Sequence, residues 1–85
     1  MGYGGAPQPG ILEIDLHGKN VYQARVALDS ALRRANGSVY RIRAIHGYQS
    51  GTALRELVRE YAAHPRVKGM QQINPGCTEL ILRKD

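Results

Sequence analysis

Two histidine–glycine pairs, each directly after a short apolar segment, are the residues of this chain best suited to chemistry. His17-Gly18 follows the segment 11–16, and His46-Gly47 follows the segment 39–45. Each pair leads through a polar loop into a helical pattern. Parallel strands joined by a helix have their carboxyl ends at one edge of the sheet, where open α/β sheets bind ligands. The repeat therefore predicts two histidines at one edge, where one could act as base and the other as acid.

An acidic residue accompanies the first histidine. Asp15 and His17 are two residues apart on a strand, so their side chains share a face with Cα atoms about 6–7 Å apart. Such a carboxylate can orient the imidazole. Alternatively, Asp15 and His17, with Glu13 as a further ligand, could hold a divalent metal such as magnesium or manganese. The alternative is a structural role, in which both side chains only form hydrogen bonds with loop amides.

A glycine-flanked loop runs from the second histidine into a helix. Backbone N–H groups at a helix N-terminus bind anions, and glycine lets a phosphate come close to the backbone. An aromatic ring can also stack on a base. The loop lacks the Gly-Lys-Ser/Thr of a P-loop, and an ordinary strand-to-helix loop is the alternative. The candidate phosphate- or base-binding residues are Gly18, Gly47, Tyr48, Ser50, Gly51 and Thr52.

Alternation and helical spacing predict the first half of the fold. A strand over 11–17 has Leu12, Ile14 and Leu16 on the core face, and Glu13, Asp15 and His17 on the open face. A helix over 21–35 begins with a capping box at Asn20 and Gln23 and ends at Gly37. The apolar stripe of this helix comprises Val21, Ala24, Leu28, Ala31, Leu32 and Ala35.

The second half of the chain is predicted to complete a two-layer sandwich. A strand over 39–45 has Arg41 and Arg43 on the open face, where guanidinium groups would hold a phosphate. Thr52 is the predicted N-cap of a second helix, which His64-Pro65 ends. A hairpin over 68–84 turns at 74–76, with Leu80 and Leu82 toward the core and Glu79 facing out. The predicted class is α/β (α+β), ordered β-α-β-α-β-β, with a four-stranded mixed sheet and two helices on one face.

Composition restricts the class of protein. The chain has 85 residues and a formal net charge of +5, a balance that suits a nucleic-acid partner or, alternatively, only a soluble basic surface. The single Cys77 excludes an internal disulfide and a multi-cysteine zinc site. No apolar run approaches the roughly 20 residues of a membrane span. We expect a monomeric, cytoplasmic protein with no membrane partner, a flexible Gly/Pro-rich arm over 1–10 and a single domain over 11–85.

Three motifs resemble those of the Smr (small MutS-related) domain family. Residues 14–18, Ile-Asp-Leu-His-Gly, resemble its Leu-Asp-Leu-His-Gly signature. His46-Gly47-x-x-x-Gly51 resembles its His-Gly-x-Gly-x-Gly signature, and Gly76-x-Thr78-x-Leu80-x-Leu82 resembles its last strand. The resemblance implies a fold like the C-terminal domain of translation initiation factor three, with the first two strands adjacent. It also implies nucleic-acid binding and, in several members, endonuclease activity on DNA or RNA.

One departure from the family pattern bears on catalysis. Gln49 stands where the family has its middle glycine, and glutamine adopts a positive φ less readily than glycine. Two functions therefore stay open. One is an endonuclease acting on DNA or RNA, with Asp15, His17 and His46 as catalytic residues. The other is a non-catalytic nucleic-acid-binding module, with a ribosome- or protein-interaction domain as a third interpretation that rests on fold analogy.

Overall fold

The structure, a computed structural model, describes residues 10–48 and 52–83. Residues 1–9 of the predicted arm therefore lie outside the described residues. The strands are β1 (Ile11–Asp15), β2 (Arg41–Ile45), β3 (Gly69–Asn74) and β4 (Cys77–Ile81). The helices are α1 (Val21–Arg34) and α2 (Ala53–Glu60), and α2 is followed by a single 3₁₀ turn, Tyr61–Ala63. The predicted β-α-β-α-β-β order is confirmed, although β1 and β2 are each two residues shorter than predicted.

The four strands form one mixed sheet in the order β1-β2-β4-β3. β1 and β2 are adjacent and parallel, as predicted, while β4 lies antiparallel to both β2 and β3. Since β4 runs the opposite way, the β3–β4 turn lies at the carboxyl ends of β1 and β2. Cys77, the first residue of β4, pairs with Ile45, the last residue of β2. Three loops therefore meet at one edge of the sheet.

The core lies between one face of the sheet and the two helices. Its apolar side chains come from alternate strand positions and from one stripe of each helix. They include Ile14, Leu16, Ala24, Leu28, Ala31, Leu32, Ala35, Ile42, Ala44, Leu54, Leu57, Val58, Tyr61, Leu80 and Leu82. The prediction for Val21 was wrong, because this residue lies in the first turn of α1 and is 41% exposed. Within the described residues, no helix has the length and hydropathy to cross a bilayer.

The two ends of α1 are stabilised in different ways. The predicted capping box is present, since Gln23 N–H donates to Asn20 Oδ1 at 2.8 Å and Asn20 N–H donates to Gln23 Oε1 at 3.0 Å. The prediction that Gly37 ends the helix was wrong, because Gly37 is not among the positive-φ glycines. Instead, the Arg66 guanidinium donates to the carbonyls of Leu32 and Ala35. A side chain remote in sequence thus satisfies carbonyls at the helix end, a role that backbone N–H groups fill when a left-handed glycine ends a helix.

The start of α2 lies where it was predicted, with Thr52 at the N-cap position, but the side-chain cap is absent. Thr52 immediately precedes the helix, but its backbone is already helical and its side chain makes no capping hydrogen bond. The predicted end is confirmed, since His64 is extended before Pro65.

Candidate functional site

Both histidine–glycine pairs lie at the edge where the three loops meet, and their glycines adopt the same backbone conformation. Gly18 has a φ of 81° and Gly47 a φ of 85°, values that favour glycine over other residues. The second pair is held to the β3–β4 turn, because the N–H groups of His46 and Gly47 both donate to the Gly76 carbonyl at 3.0 Å. Each dipeptide therefore places a glycine with positive φ shortly after the end of a parallel strand.

Asp15 and His17 form a hydrogen-bonded dyad on the open face. Asp15 Oδ1 lies 2.5 Å from His17 Nδ1 and also accepts from the His17 backbone N–H at 3.1 Å. The side chains are 52% and 66% exposed, respectively, so the dyad is open to a ligand. The predicted arrangement, in which the carboxylate orients the imidazole, is what the structure shows.

The protonation state of Asp15 determines which imidazole nitrogen is left for a ligand. Partial burial raises its pKa, but hydrogen bonds from the side chain and backbone of His17 outweigh this effect and lower the pKa below its ordinary value of 3.8. Asp15 is therefore ionised near neutral pH and can only accept a hydrogen bond. Neutral His17 then carries its proton on Nδ1 and leaves the lone pair of Nε2 for a proton transfer.

His46 lies at the same edge as His17 but on the opposite side of the sheet. It continues the alternation of Ile42 and Ala44 toward the helices and is 1% exposed. Its Nε2 lies 3.0 Å from Thr78 Oγ1, on the strand beside it. Burial, reinforced by the nearby Arg55 charge, lowers the pKa of His46 below its ordinary value of 6.5. The structure thus does not bring the two predicted catalytic histidines together.

Acidification is expected to destabilise the fold through His46. Because the folded pKa lies below the unfolded value of about 6.5, the unfolded chain binds a proton here that the folded chain does not. The stabilising contribution is complete above pH 6.5 and is lost as the pH falls toward the folded pKa. Urea unfolding at about pH 7.5 and about pH 5.5 should show this loss in the wild type and a smaller loss in His46→Gln.

The matched control for this measurement is His64→Gln, at the end of the 3₁₀ turn. It removes an imidazole that is not buried as His46 is, and it therefore shows whether the loss is specific to the buried position. Equal pH dependence in His46→Gln and the wild type would contradict the assignment.

The open face is crossed by a row of ion pairs centred on a buried carboxylate. Glu79 accepts from Arg41 Nη1 at 2.6 Å and from Arg43 Nε at 2.9 Å. Burial raises the pKa of Glu79, but the two guanidinium groups outweigh it and hold the pKa below its ordinary value of 4.5. Glu79 faces away from the helices as predicted, yet its side chain is only 2% exposed beneath the arginines. Both predicted phosphate-binding arginines are thus paired with an anion of the protein itself.

An open groove of about 650 Å³ lies on the open face between this row and the sheet edge. Its lining includes His17 of the dyad, Arg43 of the ion-pair row and the Gly47-Tyr48 loop. The β3–β4 hairpin closes the other side through Ile73, Asn74 and Gly76. Such a volume is typical of pockets that hold a small molecule or a single residue of a polymer.

The remaining predicted site residues fall into two groups. Gly18, Tyr48 and Thr52 are exposed near the edge, whereas Gln49, Ser50 and Gly51 lie outside the described residues. Across residues 10–48 and 52–83, no three His, Cys, Asp or Glu side chains converge as a metal-binding set would. Glu13, the third ligand considered, lies 3.9 Å from Arg43. The described side chains do not form a preassembled metal site.

Sequence reasoning missed two features of the site. The first is Glu79 as the buried partner of Arg41 and Arg43, which the pairing of Arg43 with Glu79 across β2 and β4 produces. The second is the hairpin wall of the groove, formed by Ile73, Asn74 and Gly76. An apolar residue, Ile73, beside the predicted turn at 74–76 was a usable sequence signal for this wall. The face of the sheet on which His46 lies could also have been predicted, because strand alternation groups it with Ile42 and Ala44.

Comparison with known proteins agrees with this geometry. The family model of the Smr domain matches residues 14–77. The chain is similar to the Smr domain of Thermus thermophilus MutS2, with a TM-score of 0.75 and 31% identity over 86% of this chain and 99% of that one. It is also similar to the SMR domain of NEDD4-binding protein 2, with a TM-score of 0.65 and 25% identity over 99% and 96% of the two chains. A comparison with curated proteins finds no significant match. The chain belongs to the Smr domain family, a family of nucleic-acid-binding domains.

Proposed function

We propose that this domain binds nucleic acid on the open face of its sheet and cleaves a phosphodiester bond beside His17. The observation that carries the proposal is the exposed Asp15–His17 dyad, with Nδ1 and Oδ1 2.5 Å apart at the end of a groove. A carboxylate that fixes the tautomer of an accessible imidazole is the arrangement of a general base.

In the proposed step, Nε2 of His17 accepts the proton of the attacking hydroxyl group. The attacking oxygen, either the 2′-hydroxyl of RNA or a water, forms the new bond to phosphorus. The bond to the leaving oxygen breaks, and that oxygen takes the electron pair and then a proton from the imidazolium or from solvent. Asp15 keeps Nδ1 protonated and stabilises the positive charge that develops on the ring. Since His46 is buried, His17 is the imidazole that takes part in proton transfer in this proposal.

Charge supports a polyanionic ligand, although not through the residues first expected. The chain has 12 Lys and Arg against 7 Asp and Glu, a net charge of +5. Arg41 and Arg43 are paired with Glu79, so they contribute less to phosphate binding than unpaired arginines would. Lys19 is exposed just after the dyad, and its charge helps to lower the pKa of Asp15. Lys19 is therefore well placed to attract the phosphate next to His17.

The burial of His46 is the observation that favours the second candidate, a binding module without catalysis. An acid–base pair of two histidines needs both rings at the reacting phosphate, and His46 contacts Thr78 instead. In this case the dyad would accept a hydrogen bond from the nucleic acid and perform no chemistry. Both candidates share the same surface and differ only in product formation.

The proposal is tested by incubating the domain with labelled single- and double-stranded RNA and with supercoiled DNA, with and without a divalent metal. We expect binding whose affinity falls steeply with salt, because phosphate contacts release counterions. We also expect cleavage, and the ends identify the nucleophile. A 2′,3′-cyclic phosphate with a 5′-hydroxyl shows attack by the 2′-hydroxyl. A terminal phosphate monoester formed directly shows attack by water.

The outcomes separate the candidates. Binding without product in every condition would overturn the nuclease proposal and support the binding module. No binding even at low salt would contradict both.

A further inference from the structure

The groove beside the dyad has an apolar floor and apolar walls on an otherwise polar face. Ile45 and Cys77, which pair across β2 and β4, form the floor. Tyr48 on one side is 68% exposed, and Ile73 on the other is 45% exposed. Large exposed apolar side chains that face a common groove usually mark a binding site.

The charges around this groove favour a neutral occupant. Glu13 and Arg43 lie opposite each other on paired strands, and their charged groups are 3.9 Å apart. A phosphate inside the groove would meet the Glu13 carboxylate, whereas an uncharged ring would meet the apolar floor. The phosphate attached to such a ring would then lie toward His17, which lines the same groove.

The groove also offers polar groups suited to the edge of a ring. The Glu13 carboxylate can accept a hydrogen bond from an exocyclic amino group. Asn74 Oδ1 accepts from the Gly76 N–H at 2.8 Å, which orients its amide and leaves the NH₂ end as a donor. A planar, neutral group with both donors and acceptors on its edge fits this set, and in a nucleic acid that group is the base.

We propose that the groove holds one unpaired nucleobase, stacked on Tyr48 and packed against Ile73, next to the phosphate at His17. This inference rests on the proposed function and names its substrate class. A base inside a continuous duplex is not accessible to the groove, and its extrusion costs free energy. The domain should therefore prefer single strands, bulges or frayed ends over a perfect duplex.

The position of the Tyr48 ring depends on a glycine in the hairpin. A β-carbon on Gly76 would lie 3.0 Å from Cε2 and 3.1 Å from Cδ2 of Tyr48. At these distances the ring has to move by a few tenths of an ångström. Gly76→Ala therefore keeps the aromatic ring but displaces it, which tests ring placement separately from ring loss.

The experiment measures affinity by fluorescence anisotropy at low salt with three ligands of equal length. These are an intact single strand, a strand of the same length in which every nucleotide is abasic, and a blunt duplex, each checked for intactness on a gel after titration. Tyr48→Ala is expected to weaken binding of the intact strand by about 5- to 100-fold, the usual effect of losing one base–aromatic stack. The abasic strand should bind the wild type weakly and be insensitive to Tyr48→Ala. Gly76→Ala should also weaken binding of the intact strand.

Tyr22→Ala is the matched control, because Tyr22 is a tyrosine on α1 that is 74% exposed and is not a groove residue. It should leave all three affinities unchanged. A strand with 2-aminopurine at the central position gives a direct signal, since its fluorescence should be quenched by the wild type and Tyr22→Ala but not by Tyr48→Ala.

Failure of this inference can be distinguished from failure of the proposed function. If the intact strand, the abasic strand and the duplex bind with equal, salt-sensitive affinity and Tyr48→Ala matches Tyr22→Ala, the base site is wrong and nucleic-acid binding stands. If none of the three ligands binds, both proposals are wrong.

Discussion

Replacing His17 by asparagine is expected to lower the rate of phosphodiester cleavage by about 10²- to 10⁴-fold, the usual contribution of general acid–base catalysis. Asparagine retains a donor toward Asp15, which accepts from His17 Nδ1 in the native domain. It cannot, however, exchange a proton at the position of Nε2. The loss should therefore appear in kcat, with little change in the affinity for the strand. Single-turnover cleavage and anisotropy binding, measured on the same substrate, separate the two quantities.

Two further variants make this measurement specific to the dyad. Asp15→Asn should also lower kcat, because a neutral amide no longer stabilises the charged imidazole. His64→Asn, at the end of the 3₁₀ turn, should cleave at the wild-type rate, since His64 is not a groove residue. Cleavage by His17→Asn at the wild-type rate would show that the dyad is not catalytic.

Replacing Glu79 by glutamine is expected to reduce the free energy of unfolding by about 2–3 kcal/mol. The substitution preserves the shape of the side chain but removes the carboxylate that accepts hydrogen bonds from both guanidinium groups. The native Glu79 side chain is 2% exposed, whereas those of Arg41 and Arg43 are 35% and 28% exposed. Because the arginines retain some contact with water, we place the effect below that of a fully buried pair. Urea unfolding at neutral pH measures it directly.

Glu13→Gln is the matched control for Glu79→Gln. Glu13 lies in the same row and faces the same Arg43, but at 3.9 Å and with 41% of its side chain exposed. Exposed pairs of this kind contribute about 0–1 kcal/mol. Equal losses in the two variants would contradict the view that burial of Glu79 makes its ion pairs important.

The Glu79 ion pairs also predict how the wild type responds to acid. The folded pKa of Glu79 lies below its ordinary value of 4.5, so its contribution is present above that pH and is lost as the pH falls toward the folded pKa. The loss attributed to His46 begins at about pH 6.5. The two groups therefore act in successive pH ranges, His46 below about pH 6.5 and Glu79 below about pH 4.5. In urea unfolding, Glu79→Gln should reduce the acid destabilisation only in the lower range.

Features that depend on neighbours in the chain could be predicted from the sequence. Asp15 and His17 share a face because a strand has a period of two, and no distant contact is needed to bring them together. The Asn20–Gln23 capping box likewise spans a single helical turn. The order of strands and helices followed from the same short periods. These inferences were right because backbone geometry alone places residues a few positions apart.

Features that depend on distant segments were decided by the tertiary structure. Arg66 ends α1 in place of Gly37 because the chain after α2 passes the carbonyls of Leu32 and Ala35. Glu79 is buried because β4 lies between β2 and β3, which places it opposite Arg43. The groove exists because β4 runs antiparallel to β2, which brings the β3–β4 turn to the end of the sheet where His17 lies. The periods of strands and helices determine on which face a side chain lies. Only the pairing of strands far apart in sequence determines which residues it contacts there.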